Sequence, residues 1–214
     1  MIATITEIRT AEGRVAGIGV FPRGDKLTAL ELNRVAYAGD GAEMTGVQVI
    51  DEFETMSGPV LLSDTTSLGE IYDAALTMAF ARSAELEIGS GWPPVAIGLD
   101  MGIPVVLSSV SRAESGDVEA IVSGGSMQSI AIVVTSRDVN AAALRRVAES
   151  ARSVLRSSKS LVVAVSTAAP PSGGGRWTLE FDNAVRKVLT EALDRIRRPR
   201  HRPEVADGRS NSTT

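Results

Sequence analysis

The stretch SIAIVVT at residues 129–135 decides the fold class of this chain. It is rich in β-branched residues, carries no charge and has the length of a strand that is buried on both faces. An amphipathic helix follows, with Asn140 as its predicted N-cap and an apolar stripe over residues 144–155. A second buried strand is predicted at residues 161–165. Strands and helices are therefore expected to pack as layers.

Predicted strands dominate the first half of the chain. Residues 2–8 and 47–53 alternate between apolar and polar side chains, and residues 15–21 form an apolar run. Helical spacing begins only at Leu68, after a predicted N-cap at Ser67, and is expected to end near Gly89. This order of elements predicts a layered α/β or α+β domain and argues against a doubly wound parallel sheet.

The length and composition predict one domain. The chain has 214 residues, of which 43% are hydrophobic and 22% charged, and this is enough to bury a sizeable core. We assign residues 1–198 to a single domain that ends in a predicted helix at 181–196. Residues 199–214 are rich in arginine, proline and serine, so we predict a disordered tail there.

The rare residue types exclude several chemistries. Because the chain has no cysteine, it has no disulfide, no thiolate zinc site and no cysteine nucleophile. Its single histidine, His201, lies in the polar tail, so a Ser-His-Asp triad is excluded unless His201 folds back. No metal site and no cofactor are predicted. A Ser-Lys dyad would have three candidate lysines, Lys26, Lys159 and Lys187.

The charge pattern predicts neither a nucleic-acid nor a membrane partner. The net charge is −4, whereas phosphate binding needs a basic face. The arginine cluster at residues 197–202 is interpreted as part of a solvated tail, because no aromatic residue is interleaved with it. The N-terminus lacks the pattern of a signal peptide, and no stretch approaches ~20 apolar residues. These observations predict a cytoplasmic protein.

Three polar, glycine-rich segments separate the apolar runs. Residues 38–46 contain glycines that permit positive φ and close approach of another segment, and Glu43, which could orient a substrate amine. Residues 63–69 carry hydroxyls at a strand-to-helix turn, where an anion or carboxylate could bind. Residues 123–129 place Ser129 at the first position of the core strand. The alternatives are a solvated hairpin turn, ordinary helix capping and a turn-closing serine, respectively.

A nucleophilic serine in this chain needs a base other than histidine. One solution is cleavage of the chain just before the serine, because the freed α-amino group can then accept the proton. The reference pKa of an α-amino group, about 7.7–8.0, suits that role near neutral pH. The position of Ser129 is compatible with this mechanism.

Six short segments occur in an order that is similar to the motif order of a known family. They are residues 20–24 (VFPRG), 43–46 (EMTG), 63–69 (SDTTSLG), 93–100 (PPVAIGLD), 129–135 (SIAIVVT) and 164–168 (AVSTA). In this order they resemble the DmpA-type aminopeptidases, which include the β-peptidyl aminopeptidases. The resemblance implies an αββα sandwich, two β-sheets between helical layers, which that family shares with the ornithine acetyltransferases. It also implies a homo-oligomer.

The resemblance implies roles for particular residues. Ser129 takes the place of the nucleophile, and self-cleavage would fall between Gln128 and Ser129. Ser158 falls on a serine that helps to polarise the family's site. Among candidate substrate-binding residues, Glu43 and Thr65 lie in matched segments, and Ser160 stands where the family has an acidic residue. In this chain Gln128 replaces a glycine before the nucleophile.

These observations favour an enzyme, a serine-nucleophile hydrolase that removes an N-terminal amino acid or cleaves a small amide. Two alternatives stay open. An uncleaved homologue would act as a binding or assembly subunit, or would catalyse a different reaction in the same cleft. An amine acyltransferase would pass the acyl group from Ser129 to an amine, provided that water is excluded.

Overall fold

The structure of the chain is a computed structural model. The structure describes residues 2–22, 33–39, 43–56, 58–82, 95–99, 107–124, 128–155, 159–167 and 178–197. The predicted tail at 199–214, the predicted helix end near Gly89 and Ser158 lie outside the described residues.

Eleven strands and four α-helices make up the described part of the chain. The strands are β1 (Ala3–Arg9), β2 (Val15–Pro22), β3 (Asn33–Gly39), β4 (Glu43–Thr45), β5 (Thr55–Met56), β6 (Val60–Asp64), β7 (Val95–Leu99), β8 (Leu107–Arg112), β9 (Val118–Gly124), β10 (Gln128–Thr135) and β11 (Lys159–Ser166). The helices are α1 (Val47–Phe53), α2 (Leu68–Arg82), α3 (Ala141–Leu155) and α4 (Leu179–Arg197).

The strands form two mixed sheets. Sheet A has the order β1-β2-β6-β7-β4, and sheet B has the order β5-β3-β11-β10-β9-β8. Only β6 with β7 and β10 with β11 are parallel among the described pairs, and the other neighbours are antiparallel. The prediction that this is not a doubly wound parallel sheet is confirmed.

Side-chain alternation gives the sandwich three buried layers. Ile130, Ile132 and Val134 of β10 face sheet A, whereas Ala131 and Val133 face the helices. Helices α3 and α4 cover the outer face of sheet B, and α2 covers the outer face of sheet A. The layers are therefore α, β, β, α, and the predicted αββα sandwich is confirmed.

The strongest local predictions hold. Strand β10 is buried from Ile130 to Thr135, and the side-chain oxygen of Asn140 accepts a hydrogen bond from the Ala143 amide at 2.8 Å, which caps α3. Helix α2 begins at Leu68, directly after Ser67, as predicted. A 3₁₀ turn at Thr65–Ser67 precedes the helix, and Asp64 caps this turn by accepting a bond from the Thr66 amide.

The strand predicted at residues 47–53 is wrong, because this segment is helix α1. Gly46 and Glu54, on either side, both have left-handed backbone conformations, and the Glu54 amide donates to the Ile50 carbonyl at 2.8 Å. The only fully buried residue of α1 is Ile50, which contacts the core between the sheets. A seven-residue segment with one buried position is compatible with both the helical period of 3.6 residues and the strand period of two. The connection from β4 to β5 therefore decides its conformation.

Candidate functional site

Two parallel strands of sheet B begin side by side at one end of the sandwich. Strands β10 and β11 pair in register, Gln128 with Lys159 and Ser129 with Ser160. The antiparallel neighbours finish at the same end, because Gly124 of β9 pairs with Ser129. We call this end of the sandwich, where β10 and β11 begin, the Ser129 end.

The polar ends of sheet A lie at the Ser129 end as well. Strand β3 ends there at Gly39, which pairs with Leu161, and Glu43 begins β4 only four residues later. Four residues span at most about 14 Å. Glu43 pairs with Gly98 of β7, and the neighbouring β6 leads directly into the turn that contains Thr65.

Ser129 and Ser160 form a direct cross-strand pair. Neighbouring strands are about 4.8 Å apart, so the two residues are as close as the sheet allows. Ser129 is half-buried, and Ser160 is buried. By alternation with Ala131 and Val162, which contact the helices, both side chains belong to the helix-facing side of sheet B.

Gly39 holds β3 against the backbone of Ser160. Its φ is +133°, a value that favours glycine, and a Cβ here would lie 2.9 Å from the Leu161 Cα and even closer to the Ser160 carbonyl oxygen. The close approach expected from the glycines at 38–46 is thus present at Gly39. It places a third strand tightly beside the Ser129–Ser160 pair.

Asp64 and Thr65 are adjacent in the turn after β6. The Asp64 Oδ1 atom accepts bonds from the Thr66 amide at 2.9 Å and from the Thr66 hydroxyl at 2.6 Å. The Thr65 hydroxyl is inaccessible to solvent and has no hydrogen-bond partner among the residues that the structure describes. A Cβ on Gly98 would lie 2.9 Å from the Thr65 Cα, so this turn packs directly on the backbone of β7.

The structure brings together some predicted site residues and separates others. Ser129 and Ser160 are neighbours, and Gln128 immediately precedes Ser129 in β10. Glu43, which is exposed, lies at the same end but in sheet A, and Thr65 lies in the turn after β6 of that sheet. Packed sheets are about 10 Å apart. Ser158 lies between the end of α3 and the start of β11, outside the described residues.

Neither of the two described lysines is placed beside Ser129. Lys159 is exposed at the Ser129 end, but alternation puts it on the opposite side of sheet B from Ser160. Lys187 is on α4 and donates to Glu114 at 2.8 Å. Its pKa is raised by that hydrogen bond and by the charge of Glu114. A lysine base for Ser129 is therefore not preformed among these two residues.

One phenol lies close to this end of β3. Burial, and then the hydrogen bond to Asp51 at 3.1 Å and its charge, raise the pKa of Tyr37. Tyr37 therefore remains protonated at neutral pH. It is a hydrogen-bond donor, not a base.

One buried charge escaped the sequence analysis. Glu119 is 2% exposed although it lies within the apolar run VEAIV at residues 118–122. A carboxylate at a buried strand position is rare unless it is paired. The single acidic residue within this apolar run was therefore the sequence feature that could have indicated a buried ion pair. Within the described ranges, no three metal-ligating side chains lie close enough to hold an ion. No described helix combines the length and the apolar character needed to cross a bilayer.

The two mixed sheets between helical layers define the fold as an αββα sandwich. No protein-family model matches the chain, and no curated protein matches it. Solved structures do match. The PH0078 protein from Pyrococcus horikoshii OT3 superposes with a TM-score of 0.65 and 14% identity, over 91% of this chain and 83% of that chain.

Two further matches are named enzymes. A β-aminopeptidase from Burkholderia sp. has a TM-score of 0.61 and 14% identity, over 91% of this chain and 82% of that one. The L-aminopeptidase D-Ala-esterase/amidase from Ochrobactrum anthropi has a TM-score of 0.62 and 15% identity, over 91% and 82%. It is described as a prototype for the serine aminopeptidases and as a variant of the Ntn hydrolase fold. At these identities the likeness establishes a shared fold.

Proposed function

We propose that this chain is a serine hydrolase that cleaves itself between Gln128 and Ser129 and then removes an N-terminal amino acid from a small peptide or amide. The observation that carries the proposal is the Ser129–Ser160 pair, at the start of two parallel core strands, in a fold shared with serine aminopeptidases. The sequence supplies no cysteine and no histidine within the domain. The freed α-amino group of Ser129 is therefore the proposed base.

Self-cleavage would proceed in two steps. The Ser129 Oγ attacks the carbonyl carbon of Gln128, the C–N bond breaks, the acyl group moves from nitrogen to oxygen as an ester, and the hydroxyl proton passes to the departing nitrogen. Water then hydrolyses the ester, which leaves a carboxylate on Gln128 and a free α-amino group on Ser129. The half-buried position of Ser129 at the end of a strand supports access for that water.

Turnover would use the Oγ atom and the freed α-amino nitrogen of Ser129. The α-amino nitrogen takes the proton from Oγ as Oγ attacks the substrate carbonyl, and it passes that proton to the departing amine. Water then releases the acyl group. We assign Ser158 to polarising the site, and Ser160, the direct neighbour of the nucleophile, to substrate binding. We assign Glu43 and Thr65, which lie at the Ser129 end, to substrate binding as well.

A serine-directed sulfonyl fluoride tests the assignment of the nucleophile. We expect an aryl sulfonyl fluoride to modify the 129–214 fragment at Ser129 and to abolish turnover, because an activated hydroxyl reacts and ordinary serines do not. Peptide mapping by mass spectrometry locates the adduct. A label on Ser160 or elsewhere, with Ser129 unmodified, would contradict the assignment.

Replacing Lys159 separates the two candidate bases. If the α-amino group is the base, Lys159→Met should cleave itself at a rate within about threefold of wild type and keep its turnover. The reason is that the Lys159 side chain lies on the opposite side of sheet B from Ser129. The control is Lys187→Met, which removes a lysine on α4 that pairs with Glu114. A loss of about 10²-fold or more in Lys159→Met alone would favour a Ser-Lys dyad instead.

A further inference from the structure

A cavity of about 660 Å³ opens on the side of the sandwich, between the free edges of β1 and β8. Its wall includes Glu119, which pairs with Val134, five residues along β10 from Ser129. At the rise of a strand this separation is about 17 Å. The β1–β8 pocket is therefore distinct from the candidate active site, and an inference about it does not depend on the proposed function.

The pocket exists because the two sheets end at different places. Strand β1, the last strand of sheet A, lies over β9, where the Ala3 amide donates to the Glu119 carboxylate at 3.0 Å. Sheet B continues for one more strand, β8, beyond that contact. Part of its inner face is left open, and apolar side chains form the floor, among them Ile5, Val110 and Ile121.

An internal ion pair neutralises Glu119, the only carboxylate among the lining residues that the structure describes. Arg112 donates to Glu119 through Nε at 2.7 Å and through a second nitrogen at 2.5 Å. With the Ala3 amide, Glu119 has three donors, so its burial is compensated. The Arg112 side chain is 47% exposed, and hydrogen atoms of its guanidinium remain free to meet a ligand.

Arg195 adds a positive charge that no carboxylate of the described residues pairs with. It projects from α4, and one guanidinium nitrogen donates to the Val110 carbonyl oxygen at 2.6 Å on β8. Among the residues that the structure describes, no carboxylate lies within 4 Å of this guanidinium. The charges of Arg112, Arg195 and Glu119 therefore give the described part of the lining one net positive charge.

We propose that the β1–β8 pocket binds a small organic carboxylate with an apolar body, whose carboxylate is held by Arg195 and Arg112. The volume lies within the range of small-molecule sites, about 300–1,000 Å³. The apolar floor takes the hydrocarbon part, and the guanidinium groups present planar donor pairs that match a carboxylate. A neutral ligand of the same shape would leave the positive charge unmatched.

The test uses 3-phenylpropanoate and its neutral amide, 3-phenylpropanamide, with calorimetry on the full chain. We expect the carboxylate to bind with a Kd on the order of 0.1–1 mM and the amide to bind at least about tenfold more weakly. Arg195→Gln should raise the Kd of the carboxylate by about tenfold or more and leave the Kd of the amide unchanged. The matched control, Lys187→Gln, removes the same charge from the same helix outside the pocket lining and should change Kd by less than about twofold.

A second variant separates this proposal from the catalytic one. Ser129→Ala should bind 3-phenylpropanoate like wild type, whether or not the chain has activity. Equal affinity for carboxylate and amide, no binding up to about 10 mM, or an Arg195→Gln variant with unchanged affinity would each overturn the proposal.

Discussion

Ser129→Ala should leave a chain that stays at full length and does not hydrolyse aminoacyl amides. The substitution removes both the oxygen that attacks Gln128 and the oxygen that would form the acyl-enzyme. Self-cleavage should be undetectable, and turnover should fall by at least about 10³-fold. The measurements are the mass of the purified chain and the release of p-nitroaniline from a panel of L-, D- and β-aminoacyl p-nitroanilides.

Two companion variants show whether the loss is chemical. Ser129→Thr keeps a hydroxyl and should retain slow processing. Ser166→Ala removes a buried hydroxyl from the other end of β11, where it donates to the Arg137 carbonyl at 3.0 Å, and should cost about 1 kcal/mol of stability without loss of processing. If Ser129→Ala is cleaved like wild type, Ser129 is not the nucleophile.

Gly39→Ala should have the largest effect of any single-methyl addition at the Ser129 end. The new Cβ would meet the Ser160 carbonyl oxygen and lie 2.9 Å from the Leu161 Cα, both backbone atoms that cannot turn away. The φ of +133° adds strain. We expect a loss of more than about 3 kcal/mol in the free energy of unfolding. Self-cleavage should be lost as well, because β11 must shift beside Ser129. Urea denaturation measures the first effect.

Gly116→Ala is the control for backbone strain alone. Gly116 has a φ of +74°, but a Cβ there would meet nothing within 4 Å. This variant should lose about 1 kcal/mol in the free energy of unfolding and cleave itself at the normal rate. If Gly39→Ala is no less stable than Gly116→Ala, β3 does not pack on Ser160 as described.

The layered core could be predicted from the sequence because its periodicities are long and consistent. The uncharged run at 129–135 has the pattern of a doubly covered strand, and β10 is indeed buried on both faces. The spacing from Leu144 to Leu155 and the cap at Asn140 define α3 equally well. In these segments local propensity, hydrophobic pattern and tertiary burial agree.

Features that depend on distant pairing could not be predicted in this way. Helix α1 has one fully buried side chain, Ile50, and its conformation follows from the connection it makes. The sequence does not show that Ser160 lies beside Ser129, because strand register is a tertiary property. The β1–β8 pocket joins residues more than 100 positions apart, such as Ala3 and Glu119.

The competing functions give different products from the same chain. A binding or assembly subunit would stay uncleaved and would show no acyl-enzyme. An acyltransferase would be cleaved like the hydrolase, but added amine acceptors would compete with water for the acyl group. Product analysis with and without an amine acceptor therefore separates transfer from hydrolysis once cleavage is established.

The most direct test of the central claim is the intact mass of the purified wild-type protein over time. The proposal predicts that the full-length mass gives way to two masses, those of residues 1–128 and 129–214, with serine as the new N-terminal residue. A single full-length mass that persists through long incubation at neutral pH would contradict it.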